Sequence, residues 1–571
     1  MLLRRTGFIV YTLRRVALEK TDSYTIRLLP GNQKVPADAE QTLLEALIGA
    51  GILLRSDCGG KGLCGKCLIR ISDETRKQVS PVSKEEAALL GETDIREGYR
   101  LACKATATGD IAVEISAHSR LTPEVGQKGP TLLPKILSAP AGPGNPSCPY
   151  GLAVDLGTTT IALYLCDLSN GAVAATLSVR NPQAMFGDDV MSRIGTIARQ
   201  DNALQRLQKM AVKAIEWGLE ALCHSTGINP KNIGTSVVVG NSAMIHILVG
   251  ESPASIGVYP YDPGFVEART FKAKTIGLTL IPSAEIHTLP LVAGFLGADI
   301  VAAALATALD ERPVGTMLVD VGTNGEVMLV GRSGLLATSC ATGPAFEGAT
   351  IRHGMQAISG AIDKVKIDAH NGGATCSVLQ NQSHTVTRPS GICGTGVVSA
   401  VAELFRAGIV SKEGKFNHGI DSGHIRLDEN GMPEYVLVPA EDAQTRQAIT
   451  LTQKDVRAIQ LAKGALLTGL ELLCHHSGLD RPRQLLVAGA FGSYIDKDDA
   501  GTIGMFPLLP EGAIDVVGNA AGAGAILTLF DPELRRKAQD IADKTTVLDL
   551  ASLPEFQDTF LRSLSFPADS D

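Results

Sequence analysis

The chain is poor in aromatic residues: Phe, Trp and Tyr make up 4% of 571 residues, with a single Trp. It has no excess of positive charge, since 52 Lys and Arg against 60 Asp and Glu leave a net charge of −8. That argues against the basic footprint with which proteins hold nucleic acid. No apolar run reaches the roughly 18 residues that a membrane span needs. Neither nucleic acid nor membrane is therefore expected as a partner. No GxGxxG follows a strand, which argues against a flavin- or NAD-linked reductase. Eleven cysteines in so long a chain make no disulfide framework, and seven of them (Cys148, Cys166, Cys223, Cys340, Cys376, Cys393, Cys474) are scattered. A reducing cytoplasm is the expected setting. The N-terminus carries Arg4, Arg5, Arg14 and Arg15 without a long apolar core or a small-residue cleavage site, so residues 1–23 read as an extension or an early start rather than a signal peptide. What is abundant is glycine, 60 in all, which predicts many tight turns.

The other four cysteines have a pattern. They read Cys58-x5-Cys64-x2-Cys67, with Cys103 after 35 intervening residues. This is the plant-type iron–sulfur spacing with one residue added to the first gap. Three thiolates on one glycine-dense loop, DCGGKGLCGKC, can wrap one side of a small cluster, and a remote fourth closes it. A structural zinc site favours paired CxxC or Cys/His knuckles, and here one CxxC stands with no histidine nearby. Gly60-x4-Gly65-Lys66 nearly matches a phosphate loop, but Cys67 occupies the position where a hydroxyl must hold magnesium.

Around this loop, residues 24–118 read as a small β-rich domain. Strands are expected at Tyr24–Leu29, Lys66–Ile71 and Asp110–Ser116, with a helix over Gln41–Ala50 leading into the loop. The pattern resembles the α+β β-grasp fold of [2Fe–2S] ferredoxins, and the spacing resembles their adrenodoxin branch. Residues 119–150, with seven prolines, cannot hold a regular helix or central strand and read as an extended linker.

From Tyr150 the character changes. An apolar strand ending in Asp155 is followed by Gly157-Thr158-Thr159-Thr160 and a second apolar strand. The construction returns 165 residues later as a strand ending in Asp320, then Gly322-Thr323-Asn324-Gly325-Glu326 and another strand. Such an internal repeat implies two copies of one supersecondary unit. Gly and Thr turns offer N–H groups and hydroxyls to phosphate, and an aspartate at a strand end can orient hydrated magnesium. Two facing turns would grip a polyphosphate.

These motifs resemble the two phosphate motifs of the actin, sugar-kinase and heat-shock-chaperone superfamily. The resemblance implies an α/β, ribonuclease H-like ATPase domain over residues 151–555, with lobes at about 151–310 and 311–555 and a tail at 556–571. By it, Asp155 and Asp320 would contact magnesium through water, and Gly157, Thr158, Thr159, Thr160, Gly322, Thr323 and Asn324 would cradle phosphates. Leu485–Gly492 resembles the adenosine motif, with Gly489 and Gly492 nearest the base, although its Gly-Ala-Phe-Gly departs from the usual pair of glycines. Gly518–Ala525 resembles the small-residue helix at which subdomains hinge. Gly394-Thr395-Gly396 opens an apolar helix and reads equally as an anion site or a packing turn. Asp188 or Asp189 could position an attacking water or cap a helix. Ala341–Gly348 looks like a functional loop of underivable role.

The whole layout resembles the reductive activators of corrinoid proteins, on the cysteine quartet, DLGTTT, DVGTNGE, ATGPAFEGA and ICGTG. That resemblance implies ATP-dependent one-electron reduction of cob(II)alamin to cob(I)alamin, with a [2Fe–2S] cluster, ATP and Mg2+ as cofactors. It also implies a corrinoid protein of a methyltransferase system as partner and an external low-potential electron donor. A homodimer is compatible with a hinged ATPase of this length. Two alternatives stand beside it: an ATP-driven donor to another enzyme, like the activators of 2-hydroxyacyl-CoA dehydratases, and a kinase or ATP-binding scaffold with a sensor cluster.

Overall fold

The computed structural model describes residues 23–567 apart from 57, 63, 122, 124, 127–147, 349, 369–370, 381–386, 418–422, 490–491 and 493–494. The extension over residues 1–22 and most of the proline-rich linker lie outside the described residues.

The N-terminal unit is a five-stranded mixed sheet in the order β2-β1-β5-β3-β4, from β1 (Ser23–Leu29), β2 (Gln33–Asp38), β3 (Leu68–Ile71), β4 (Tyr99–Leu101) and β5 (Ile111–Ile115). β1 and β5 run parallel, which a hairpin cannot produce. Helix α1 (Leu43–Gly49) is capped by the Thr42 hydroxyl, which accepts from the Glu45 N–H, and it buries Leu43, Leu44, Leu47 and Ile48. Ile26, Ile69, Ile71 and Val113 complete the core, as alternation along half-buried strands requires. Helix α2 (Lys84–Leu89) begins with a reciprocal Ser83–Glu86 capping box, and α3 (Glu92–Arg96) follows. Glu86 also takes both arms of Arg100 in β4 at 2.8 Å, a fully buried pair that locks the strand preceding Cys103. This is the expected β-grasp architecture.

The two lobes repeat one topology. In lobe 1, β6 (Val125–Gly126), β7 (Tyr150–Leu156), β8 (Thr160–Asp167), β9 (Ala172–Arg180), β10 (Ile233–Val239), β11 (Thr270–Lys272) and β12 (Glu285–Thr288) form a sheet in the order β11-β12-β10-β7-β8-β9-β6. In lobe 2, β13 (Thr316–Val321), β14 (Gly325–Gly331) and β15 (Gly334–Cys340) form an antiparallel meander. Two small three-stranded sheets follow in lobe 2: β16 (Ala361–Ile367), β17 (Ala374–Val378) and β18 (Gly391–Ile392), then β19 (Ile425–Leu427), β20 (Pro433–Val438) and β21 (Ile449–Thr452). β22 (Gln484–Ala488), β23 (Ile514–Gly518) and β24 (Thr545–Val547) complete the main sheet as β23-β22-β13-β14-β15-β24. The strings β12-β10-β7-β8-β9 and β23-β22-β13-β14-β15 have the same order and the same parallel or antiparallel senses. Asp155 and Asp320 each occupy the penultimate position of the corresponding central strand.

Helices cover the sheets: α4 (Val190–Arg199), α5 (Ala203–Thr226), α6 (Ser242–Val249) and α7 (Ala298–Ala306) in the first half, then α8 (Gly394–Arg406), α9 (Gln453–His476), α10 (Lys497–Thr502), α11 (Ala520–Phe530), α12 (Glu533–Lys544) and α13 (Phe556–Ser563). Two sequence boundaries need correction. α11 follows lobe 2 in the chain, yet it packs on α7, β7 and β10 of lobe 1, while α12 packs on both α7 and β15, one from each lobe. Small residues let α11 lie against α7 closely, which returns the chain across the cleft. The tail proposed from residue 556 is instead a helix docked on α9, with Phe566 only 2% exposed and Lys463 donating to the Ser565 carbonyl. None of the described helices is long and apolar enough to cross a membrane.

Candidate functional site

The four cysteines come together through strand pairing. Cys67 precedes β3, Cys103 follows β4, and Leu68 stands opposite Leu101 in the antiparallel ladder, with the Ala102 N–H donating to the Cys67 carbonyl at 2.9 Å. The thiols meet in two couples, Cys58 with Cys64 and Cys67 with Cys103, and Cys58 acts electrostatically on the second couple. Within each couple the shared hydrogen bond pushes one thiol up (Cys64, Cys103) and, in the second, holds Cys67 down. Among the described residues no three acidic, histidine or cysteine side chains converge as a single-ion site. Two neighbouring thiol couples instead fit a two-iron cluster, which four cysteines hold.

The phosphate turns face one another across the cleft. Turn 1 hangs on a scaffold of amides: Asn241 donates to Thr158 Oγ1 at 2.8 Å, Asn181 to the Gly157 carbonyl at 2.9 Å, and the Asn181 N–H to the Thr159 carbonyl at 2.7 Å. Turn 2 closes by Gly322 N–H to the Asn324 carbonyl at 3.2 Å, and Thr342 Oγ1 donates to the Thr323 carbonyl at 3.1 Å. Thr159 Oγ1 and Thr323 Oγ1 lie 3.2 Å apart. Glu347, in the ATGPAFEGA loop, accepts from both of them, at 2.7 Å from Thr323. This carboxylate therefore clasps the two turns together, a role the sequence did not disclose.

Four acids gather behind the turns. Burial raises Asp155 to about 6, partly offset by the Asn519 amide that donates to it at 2.8 Å. Burial and the Asp155 charge raise Asp299 to about 7. Burial, then Asp299 and Asp155, raise Asp320 to about 8, and burial, then Asp299 and Asp320, lift Glu326, which stands opposite Asp320 in the β13–β14 ladder. Recessed acids that push each other up are a donor set short of positive charge, which suits a hydrated divalent cation.

The remaining expectations divide. Gly489, at φ +96°, has room only for hydrogen: a Cβ there would lie 2.6 Å from Asp320 Oδ1 and from the Val321 carbonyl. The adenosine-like motif thus ends against the second phosphate turn. A Cβ on Gly492 would lie 2.3 Å from the Ala488 carbonyl; Ala490 and Phe491 between them are outside the described residues. Thr160 opens β8, and its carbonyl sits beneath Gly157. Gly394-Thr395-Gly396 resolves toward the packing reading at Gly396, whose Cβ would lie 2.2 Å from the Ile362 carbonyl, while Thr395 Oγ1 faces Cys393 Sγ. Asp189 is not aimed at a water: both its oxygens accept from Ser192, from the N–H and from the hydroxyl at 2.7 Å, so it caps α4. Asp188 pairs with Lys61 of the cysteine loop. Cys148 sits against Gly234 at the base of lobe 1, away from the quartet. His476 pairs with Glu555 on the surface. Asn519, Asn241, Arg193 and Glu347 were missed because each acts through partners distant in the chain. Only the cap positions of the two asparagines were readable signals.

Comparisons with known proteins agree with this geometry. Residues 26–108 match the family model of the 2Fe-2S iron-sulfur cluster binding domain, residues 150–312 that of the RACo middle region, and residues 315–571 that of the C-terminal domain of RACo, the ASKHA domain. The corrinoid activation enzyme RamQ of Eubacterium limosum is 34% identical over 425 residues, 73% of this chain and 70% of that one. The [Co(II) methylated amine-specific corrinoid protein] reductase of Methanosarcina barkeri is 26% identical over 448 residues, 73% of this chain and 77% of that one. A solved structure titled reductive activator for corrinoid,iron-sulfur protein superposes with a TM-score of 0.68 at 28% identity, covering 96% of this chain and 99% of its own. With a ferredoxin-type cluster domain, a duplicated actin-like domain and a relative of this extent, the chain belongs to the family of enzymes that reductively activate corrinoid proteins.

Proposed function

We propose that the protein reduces the cobalt of a corrinoid protein by one electron, from cob(II)alamin to cob(I)alamin, and uses ATP with Mg2+ to make that transfer favourable. The supporting observation is the Thr159–Glu347–Thr323 clasp: two phosphate-type turns from different lobes converge on one point. For one electron, each ~59 mV of unfavourable potential is a tenfold penalty. A nucleotide that binds two lobe arrangements unequally can offset it. Thr158, Thr159, Gly322 and Thr323 would receive the phosphates, Asp155 and Asp320 the hydrated magnesium, and Gly489 would border the nucleoside. Cys58, Cys64, Cys67 and Cys103 would hold a [2Fe–2S] cluster, which supplies single electrons. The corrinoid protein of a methyltransferase system is the expected substrate, an external low-potential donor would recharge the cluster, and the cytoplasm is the expected compartment.

The test is anaerobic. Purified protein, a low-potential chemical reductant and a cob(II)alamin-loaded corrinoid protein are mixed, and the cobalt absorbance is followed with and without ATP. Cob(I)alamin formed only with ATP supports the proposal. Reduction indifferent to ATP, with the partner bound and the cluster intact, sinks it. Cys64→Ser should remove the cluster's visible absorption, and an unchanged spectrum would mean a different ligand set.

A further inference from the structure

The cysteine loop is not free in solvent. A Cβ on Gly59 would lie 3.2 Å from Ala184 and one on Gly60 3.1 Å from Met185, so the loop's backbone presses against the 182–189 segment of lobe 1. Lys61 then pairs with Asp188. Farther back, Arg206 of α5 grips Glu45 of α1 with two hydrogen bonds of 2.5 and 2.7 Å, and Met210 of α5 enters the core of the cluster domain. The loop, the 184–189 segment and Pro344 and Thr350 of the Glu347 loop enclose a cavity of about 450 Å3. Its lining joins Gly59, Gly60 and Lys61, next in the chain to Cys58, with Pro344 and Thr350, which flank Glu347 in the chain.

Behind that cavity lies a charge without a counterion. Arg193 is 0% exposed, and among the described residues no ion pair includes it. Its guanidinium is held by neutral groups: the Thr158 carbonyl of turn 1 at 2.6 Å, the Gly187 carbonyl at 3.0 Å and Gln183 Oε1 at 3.0 Å, with Met244 Sδ at 3.2 Å. Burial of a guanidinium without a carboxylate is unfavourable, and a methionine or leucine would fill the same space at less cost. The fork does something those residues cannot. One arm fixes the turn that receives phosphate, and the others fix the two ends of the segment on which the cysteine loop sits. Asp188, Asp189 and Glu347 act on it electrostatically without touching it.

We infer that Arg193 is a positioning residue that couples occupancy of the first phosphate turn to the seating of the cysteine loop on lobe 1. This rests on the nucleotide reading proposed above. An anion arriving at turn 1 draws on the same buried cation that supports Gly187 and Gln183, so the two ends cannot be relaxed independently. Linkage then requires the reverse: displacing the cluster domain changes affinity for the nucleotide by the same factor.

The experiment reads the seat directly and does not depend on turnover. The cluster-loaded protein is treated with an amine-reactive label, with and without a saturating non-hydrolysable ATP analogue and Mg2+. Labelling of Lys61 is scored by mass spectrometry against the exposed Lys34, and nucleotide binding is measured separately by calorimetry. In the wild type, nucleotide should change Lys61 labelling at least about threefold. Arg193→Lys retains a charge but cannot span three acceptors; where it binds nucleotide, its Lys61 should not respond. Arg206→Ala, far from the phosphate turns and at the domain surface, should label Lys61 rapidly in both conditions. It decides the matter should Arg193→Lys fail to fold. Wild-type protein that binds nucleotide with unchanged Lys61 labelling, or a response that survives in both variants, overturns the coupling. Wild-type protein that binds no nucleotide overturns the nucleotide reading itself, and the coupling with it.

Discussion

The two phosphate turns are copies of one sequence unit whose aspartates sit in different electrostatic surroundings. Turn 1 is supported by donors: Asn241, Asn181, Arg193, and Asn519 on its aspartate. Turn 2 is braced by Thr342, which donates to the Gly322 and Thr323 carbonyls, and by a glycine pressed against Asp320, whose carboxyl is raised to about 8 by burial and by the Asp299 and Asp155 charges. The first aspartate thus has an amide donor, Asn519, whereas the second has further acids beside it. A duplicated motif conserves backbone shape, whereas the side chains that decide its electrostatics come from elsewhere in each lobe.

The sharpest break of this asymmetry is Asp320→Ala. It should lower ATP-dependent cobalt reduction by about 10²–10³-fold, the scale of losing one preorganised electrostatic contact at the reacting group. Intact ATP-linked reduction in an anaerobic absorbance assay would remove Asp320 from the magnesium site. Gly489→Ala tests the close approach of β22 to turn 2. With φ +96° and a backbone carbonyl at 2.6 Å, it should destabilise by about 2–4 kcal/mol in denaturant unfolding. Asn519→Ala attacks the other turn: it strips the donor from Asp155 and the cap from α11, at about 1–3 kcal/mol, and Asp155 should titrate above its value of about 6.

A pH series separates the turns without destroying either. An acid raised by burial holds a proton when folded that it has lost when unfolded, so it favours folding at low pH, and this advantage is lost as pH rises toward the folded value. Asp155 at about 6 is past that point by pH 7, while Asp320 at about 8 is not. Without metal, Asp320→Asn should therefore melt about 2–4 °C above wild type at pH 8.5, show a gain that shrinks steadily as pH falls toward the ordinary aspartate value of about 4, and lose the gain in Mg2+. Equal melting at pH 8.5 would mean that Asp320 is compensated after all. The smallest effect is expected from Glu347→Gln. It keeps the shape of the clasp but replaces a charged acceptor, about 1 kcal/mol of interlobe contact, visible as faster hydrogen exchange at the two turns.

Much of this molecule was legible because the signals are local. Cysteine spacing and the strand-Asp-x-Gly-Thr repeats each lie within one stretch of chain, and the strands that carry them pair as read. Asp189 misled for the same local reason: an acid before a helix is a cap as readily as a water ligand, and Ser192 settles it. Helix α11 misled because chain order assigns it to lobe 2, whereas its packing on α7, β7 and β10 joins it to lobe 1.

By itself the sequence determined the two domains, the duplicated turns and the quartet of thiols, since periodicity, glycine placement and ligand spacing act over a few residues. Tertiary structure alone decided that Glu347 joins Thr159 to Thr323 and that Asn519 reaches Asp155 across 364 residues. It alone seated the cysteine loop on lobe 1 over the buried charge of Arg193. The physical reason is that compensating a buried charge or an unpaired hydroxyl depends on distance in space, and folding sets that distance without regard to separation along the chain.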